Sequence, residues 1–168
     1  ELKLSEADRA SWFSHKAETV KPYFYSVYLA DYDVKVDVTP TERAAIFRFT
    51  FPKNDSSFIL LDAFNEGSMV KIIPEERKVT GYCRNNAGGV PENFHNYFVA
   101  VFDKEFISTH TWNGDELNIG KTEAEGDHTG AVLGFRTTEG EVIHVKVASS
   151  FISPEQAELN LKRETEGK

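Results

Sequence analysis

The chain has 168 residues, room for one domain with a sizeable core. Nineteen Lys and Arg stand against 27 Asp and Glu, a formal net charge of −8, which argues against a phosphate-backbone binder. No apolar run approaches the roughly 20 residues that a membrane helix needs, and the lone Cys83 excludes an intrachain disulfide or a multi-Cys zinc site. Thirteen Phe and 6 Tyr against a single Met favour strands over helices. The chain begins at Glu1, so it is expected to be a processed or excised piece of a longer protein.

The first dozen residues mix charge with Leu2 and Leu4, and read as a strand or a frayed end. Strand signals start after Pro22, where Tyr25, Val27 and Leu29 fall on one side of residues 23–30. Val34, Val36 and Val38 alternate next, giving a hairpin. Ala45, Phe47, Phe49 and Phe51 follow with the same period. Residues 53–56 are a turn by composition, 58–64 a strand, and 65–68 another turn. Residues 70–73 and 78–82 form a further hairpin across Pro74. Residues 85–93 are too polar and glycine-rich for a strand and read as a surface loop. Strands are expected at 94–102 and 106–112, then a long loop or ragged edge at 113–129, then strands at 131–136 and 142–151. The period changes at the C-terminus. Ser153, Pro154 and Gln156 have the spacing of an N-cap, a first helical proline and its capping-box partner, and Ala157 and Leu161 share a face. The fold expected is all-β: an antiparallel, supersandwich-like β-sandwich over 1–168, with a short helix at about 154–164.

Few residues carry chemistry by spacing alone. The histidines at 15, 95, 110, 128 and 144 make no zinc motif. His110 and His144 read as ordinary strand residues. Asp115, Glu116 and the acids of 123–127 read as a solvated acidic loop, with a loosely held cation as the sharper alternative. Asn54-Asp55-Ser56 spells a glycosylation sequon. Cys83 beside Arg84 reads as a half-buried strand residue, or else as a thiol activated by its cationic neighbour. Trp12 and Trp112 read as packing residues, or as flat platforms for a sugar ring.

Four ordered blocks carry a resemblance. They are Phe13-Ser14-His15 with Glu18 and Tyr23-Phe24-Tyr25-Ser26-Val27; Arg43 with Phe47-Arg48-Phe49-Thr50-Phe51-Pro52; Gly88-Gly89-Val90-Pro91-Glu92-Asn93-Phe94 leading to Tyr97-Phe98-Val99; and Ser149-Ser150-Phe151-Ile152-Ser153 with Glu155-Gln156-Ala157. In this order they resemble the N-terminal domain of glycoside hydrolase family 92, exo-acting bacterial α-mannosidases, many of them α-1,2-specific. The family's segment ahead of the first block does not match residues 1–11.

The resemblance implies a β-sandwich followed by an (α/α)₆ helical barrel that this chain lacks. It implies inverting hydrolysis of mannosides, assisted by calcium, with the acid, base and metal mainly on the helical domain. No catalytic residue and no metal ligand is therefore assigned here, and the isolated chain is expected to be inactive. His15, Glu18 and Arg84 are the candidate substrate-binding residues, the bland reading being that they hold loops together. The partners implied are a mannoside glycan and the missing helical domain; the location implied is the periplasm or cell surface. The alternatives are a free-standing carbohydrate-binding module, with Trp112 beside Gly114 as its best platform, and a purely structural β-domain. A domain awaiting its barrel should expose apolar surface near Leu159 and Leu161.

Overall fold

The computed structural model describes residues 2–167. A short helix α1 (Glu6–Arg9) and a 3₁₀ turn (His15–Ala17) precede the strands β1 (Thr19–Lys21), β2 (Phe24–Leu29), β3 (Val34–Pro40) and β4 (Ala44–Phe51). Next come β5 (Asn54–Asp62), β6 (Ser68–Ile73), β7 (Lys78–Cys83), β8 (Asn96–Phe102) and β9 (Ser108–Asn113). The chain ends with β10 (Glu116–Ile119), β11 (Glu123–Gly126), β12 (Thr129–Thr137), β13 (Glu141–Ser150) and helix α2 (Pro154–Thr165).

The strands build a sandwich of two antiparallel sheets. The larger has the order β1-β2-β3-β4-β13-β8-β7-β6-β11, the smaller β10-β9-β12-β5. Period-2 alternation decides what faces inward. Val34 and Val36 of β3, Phe51 of β4, Ile143 and Val145 of β13, and Phe102 of β8 line the inner face of the large sheet. Ile59 of β5 with Ala131, Leu133 and Phe135 of β12 answer from the small sheet. Phe106, expected to open a strand, instead precedes β9 and wedges its ring against Phe102 and Phe135 at 5.1 and 5.7 Å.

Helix α2 lies on the outer face of the large sheet. Ser153 caps it by accepting the Gln156 N–H at 3.1 Å, and Pro154 is its first residue. Ala157 packs into a second, smaller core with Ala44, Val99 and Ala148. The Asn160 amide donates to the Ser149 carbonyl at 2.9 Å, so the helix is tied to β13. Leu161 packs against the second core, and Leu159 is 37% exposed. The strongly exposed apolar residues of this region are instead Phe151 (70%) and Ile152 (77%), just before the helix.

Several sequence expectations are corrected. Of the first dozen residues Glu1 lies outside the described ones; residues 2–12 hold no strand, and the short acidic-to-basic run Glu6–Arg9 is helical. β1 was not legible, since its three residues are all exposed and show no alternation. The expected turn at 53–56 is already strand from Asn54 onward, because Asn54 pairs with Thr137. Residues 113–129 contain β10 and β11: β10 turns back onto β9, and β11 forms the edge of the large sheet beside β6.

Candidate functional site

The β7–β8 connection builds a pocket at one end of the large sheet. β7 ends at Cys83 and β8 begins at Asn96, directly opposite. Asn86 Oδ1 accepts the Gly88 N–H at 2.8 Å, an Asx turn that starts the loop. Gly88 and Gly89 have φ of 94° and 77°, a backbone that side chains disfavour, so glycine is required there. The Arg84 guanidinium donates to the Glu92 carbonyl at 2.7 Å and closes the loop on itself. The cavity holds about 230 Å³ and is lined by Glu66, Arg84, Asn86, Glu92, Phe94 and the glycines. Complete small-molecule pockets run about 300–1,000 Å³, so this cavity is smaller than a complete pocket. One cation, two carboxylates and open backbone suit a ligand dense in hydroxyls.

His15 and Glu18 form a second polar group. Ser14 caps the 3₁₀ turn that carries His15 by accepting the Lys16 N–H at 3.3 Å. His15 Nδ1 lies 2.8 Å from Glu18 Oε2, while the Tyr25 hydroxyl donates to Glu18 Oε1. The Tyr25 bond first, and the His15 bond second, hold the Glu18 carboxyl below its ordinary range. Both carboxylate oxygens are thus occupied, and the His15 ring, 86% exposed, is the accessible member. The fold brings His15 and Glu18 together but not Arg84. Five strand steps separate β2 from β7 in the sheet, about 24 Å at the usual strand spacing.

The Cys83 thiol is pushed up by burial, aided by the charges of Asp62 and Glu66; its neighbour Arg84 does not activate it. Trp112 is 1% exposed and is no sugar platform, because it is packed over Gly130. Trp12 is 67% exposed. His110 accepts the Gly120 N–H at 2.9 Å, and His144 pairs with Asp103 at 2.7 Å. In the acidic stretch, Glu123 faces Lys71 and Glu125 accepts the Tyr82 hydroxyl. Among the described residues no group of three or more His, Cys, Asp or Glu could hold a metal ion. The sequon asparagine, Asn54, is exposed on β5, and its Oδ1 accepts the Ser56 N–H.

The sequence reading missed Glu66. Its segment looked like a plain turn, and only the glycine at 67 hinted at the left-handed backbone that turns Glu66 toward Arg84.

The profile described as the glycosyl hydrolase family 92 N-terminal domain matches residues 1–150. The family GH92 inverting mannosidase BT2199 from Bacteroides thetaiotaomicron is 42% identical, with a TM-score of 0.95, over 100% of this chain and 23% of that one. The family GH92 α-mannosidase BT3965 from the same organism is 33% identical, with a TM-score of 0.81, over 94% of this chain and 22% of that one. The glycosyl hydrolase ccman5, at 23% identity and a TM-score of 0.81 over 93% of this chain and 23% of that one, shares the fold. The chain therefore spans under a quarter of the length of these relatives. No curated protein matches. With its sandwich, its pocket loop and this match over most of its length, the chain belongs to the glycosyl hydrolase family 92 N-terminal domains.

Proposed function

We propose that the chain is the N-terminal sandwich of an exo-acting, calcium-dependent, inverting α-mannosidase, and that it closes one side of the sugar pocket. The observation that carries this reading is the 42% identity to an inverting mannosidase over the whole chain. The small, hydroxyl-suited pocket around Arg84 supports it. In this reading Arg84 donates to sugar hydroxyls, with His15 and Glu18 as further binding residues.

Inversion needs an acid and a base on opposite sides of the scissile bond, spaced to admit a water. Nothing in this chain is assigned to that pair. Among the described residues no group of three or more His, Cys, Asp or Glu could hold a metal ion, and in this reading calcium is held by other parts of a complete enzyme. This chain's own contribution is binding, orientation and exclusion of solvent. Phe151 and Ile152, 70% and 77% exposed beside the pocket loop, with Phe94 against Phe151 at 5.6 Å, suit contact with a following helical domain. The location that goes with this reading is the periplasm or cell surface. No helix among the described residues is long and apolar enough to cross a membrane.

The test is mannose release from α-mannosides with calcium, comparing this chain with the same chain extended through the next several hundred residues of its gene. Activity only in the extended form supports the reading. Release by the 168-residue chain alone, or no activity in either form, overturns it. The second outcome favours a carbohydrate-binding module.

A further inference from the structure

We infer that Asp62 is a positioning residue for the pocket wall that carries Glu66; this rests on reading that pocket as a sugar half-site. β5 ends at Asp62, and six residues later, at Ser68, the chain enters β6. In between, Phe64 and Glu66 adopt φ of 63° and 70°. Neither is a residue type that visits the left-handed region freely, so the surroundings must hold the turn there.

The Asp62 carboxylate supplies the hold at one end. Its Oδ1 accepts the Phe64 N–H at 3.0 Å, inside the turn itself. The same oxygen lies 2.7 Å from His128 Nε2, and Oδ2 accepts the Arg9 guanidinium at 2.5 Å. Three separate segments, α1, the β11–β12 turn and the β5–β6 turn, therefore meet on one carboxylate that is only 15% exposed. Burial pushes this carboxyl up, but the Phe64 N–H, Arg9 and His128 more than offset it and keep it below its ordinary range. Cys83 feels the charges of both Asp62 and Glu66.

The turn's far end grips the pocket. Gly67 donates to the Asp127 carbonyl at 2.9 Å, next to His128, and its own carbonyl accepts the Arg84 N–H at 2.9 Å. Gly67 and the Arg84 side chain approach so closely that an added Cβ would lie 3.3 Å from Arg84 Cδ. Asn65 Oδ1 accepts the Asn85 amide at 2.7 Å, and the Asn86 N–H points at Glu66 Oε2 at 3.5 Å. Each residue from 65 to 67 thus touches one of Arg84, Asn85 or Asn86. The carboxylate at 62 sets the turn, and the turn sets the spacing of Glu66 and Arg84 across the cavity.

The experiment uses the whole 168-residue chain. Amide hydrogen exchange is followed at Gly67 and Arg84, with Val79 and Ala100 as core references, in wild type, Asp62→Ala and Asp62→Asn. Asp62→Ala is expected to speed exchange at Gly67 and Arg84 about tenfold relative to the references, because the turn itself loses the Phe64 N–H bond to a charged acceptor. Adding Phe64→Gly to Asp62→Ala is expected to restore most of that protection, since glycine holds the left-handed conformation without help. Asp62→Asn keeps an acceptor for the Phe64 N–H and is expected to speed the same exchange about threefold; it decides the matter if the alanine variant does not fold. Exchange at Gly67 and Arg84 that moves no more than at the references overturns the proposal. In parallel, methyl α-mannoside is titrated while the Arg84 and Asn86 amides are monitored. Wild-type shifts that weaken in Asp62→Ala extend the support to binding. A sugar that moves no amide in wild type counts against the half-site reading alone, and the exchange result still decides the role of Asp62.

Discussion

The indole of Trp112 occupies the place where residue 130 would carry a side chain. A Cβ built on Gly130 would lie 2.0 Å from Trp112 Cζ2. The two residues are register partners on β9 and β12, and Asp62 on β5 is the next partner in the same row. Arg9 spans this row, its guanidinium on Asp62 and 5.8 Å above the Trp112 ring. The missing side chain at 130 lets the ring lie flat across the sheet and gives the N-terminal segment its anchor.

Gly130→Ala is expected to destabilise the chain by about 1–3 kcal/mol, since the indole must leave its seat to admit a methyl group. Urea unfolding measures it, and a change under about 0.5 kcal/mol would mean the ring has room to move. Combined with Trp112→Ala, whose own cost is about 3–5 kcal/mol, the glycine substitution should cost almost nothing further.

Acid should weaken the fold through buried carboxylates. Asp37, with a side chain 4% exposed, sits 2.6 Å from Arg48 Nη2 and 3.4 Å from Lys35 Nζ. Burial pushes its carboxyl up, but Ser26, Arg48 and Lys35 together bring it below the ordinary range. A carboxyl lowered on folding contributes stability that is fully present above its unfolded pKa of about 4 and is lost as pH falls through the folded value. The urea midpoint should therefore fall below about pH 4, and Asp37→Asn should flatten that fall. An unchanged slope in the variant would remove Asp37 from the account.

Cys83 should be a slow thiol. Burial raises it, and the nearby carboxylates of Asp62 and Glu66 raise it further. At pH 7 a chromogenic disulfide reagent is expected to react several-fold more slowly than with free cysteine, and at the free rate once urea unfolds the chain. Reaction faster than free cysteine in the folded state would restore the activated-thiol reading.

The cap of α2 is worth testing because this helix covers the outer face of β13. Ser153→Ala removes the acceptor of the Gln156 N–H and should cost about 1 kcal/mol, with Ser153→Gly costing only a few tenths. Equal losses in both variants would mean that Ser153 acts through contacts other than the cap.

Strand content was legible because alternation is local. Phe47, Phe49 and Phe51 declare one face of β4 within five residues, and Ser153-Pro154 declares the start of α2 within two. The short edge elements were not legible. β1 is exposed on every residue, and β11 is held by its pairing with β6 some fifty residues earlier. The candidate site divides the same way. His15 and Glu18 stand three apart, so their contact could be read along the chain. Glu66 and Arg84 line one cavity because Gly67 and Arg84 are joined across the end of the β6–β7 hairpin.

The sequence by itself determined the all-β character, the C-terminal helix and the glycine-rich loop, because each rests on neighbours within a few residues. Only the tertiary structure decided that β13 lies between β4 and β8, that Trp112 is buried over Gly130, and that Asp62 joins three distant segments. Those relationships depend on strand order. Strand order follows from how the whole inner face packs, which no short window of residues contains.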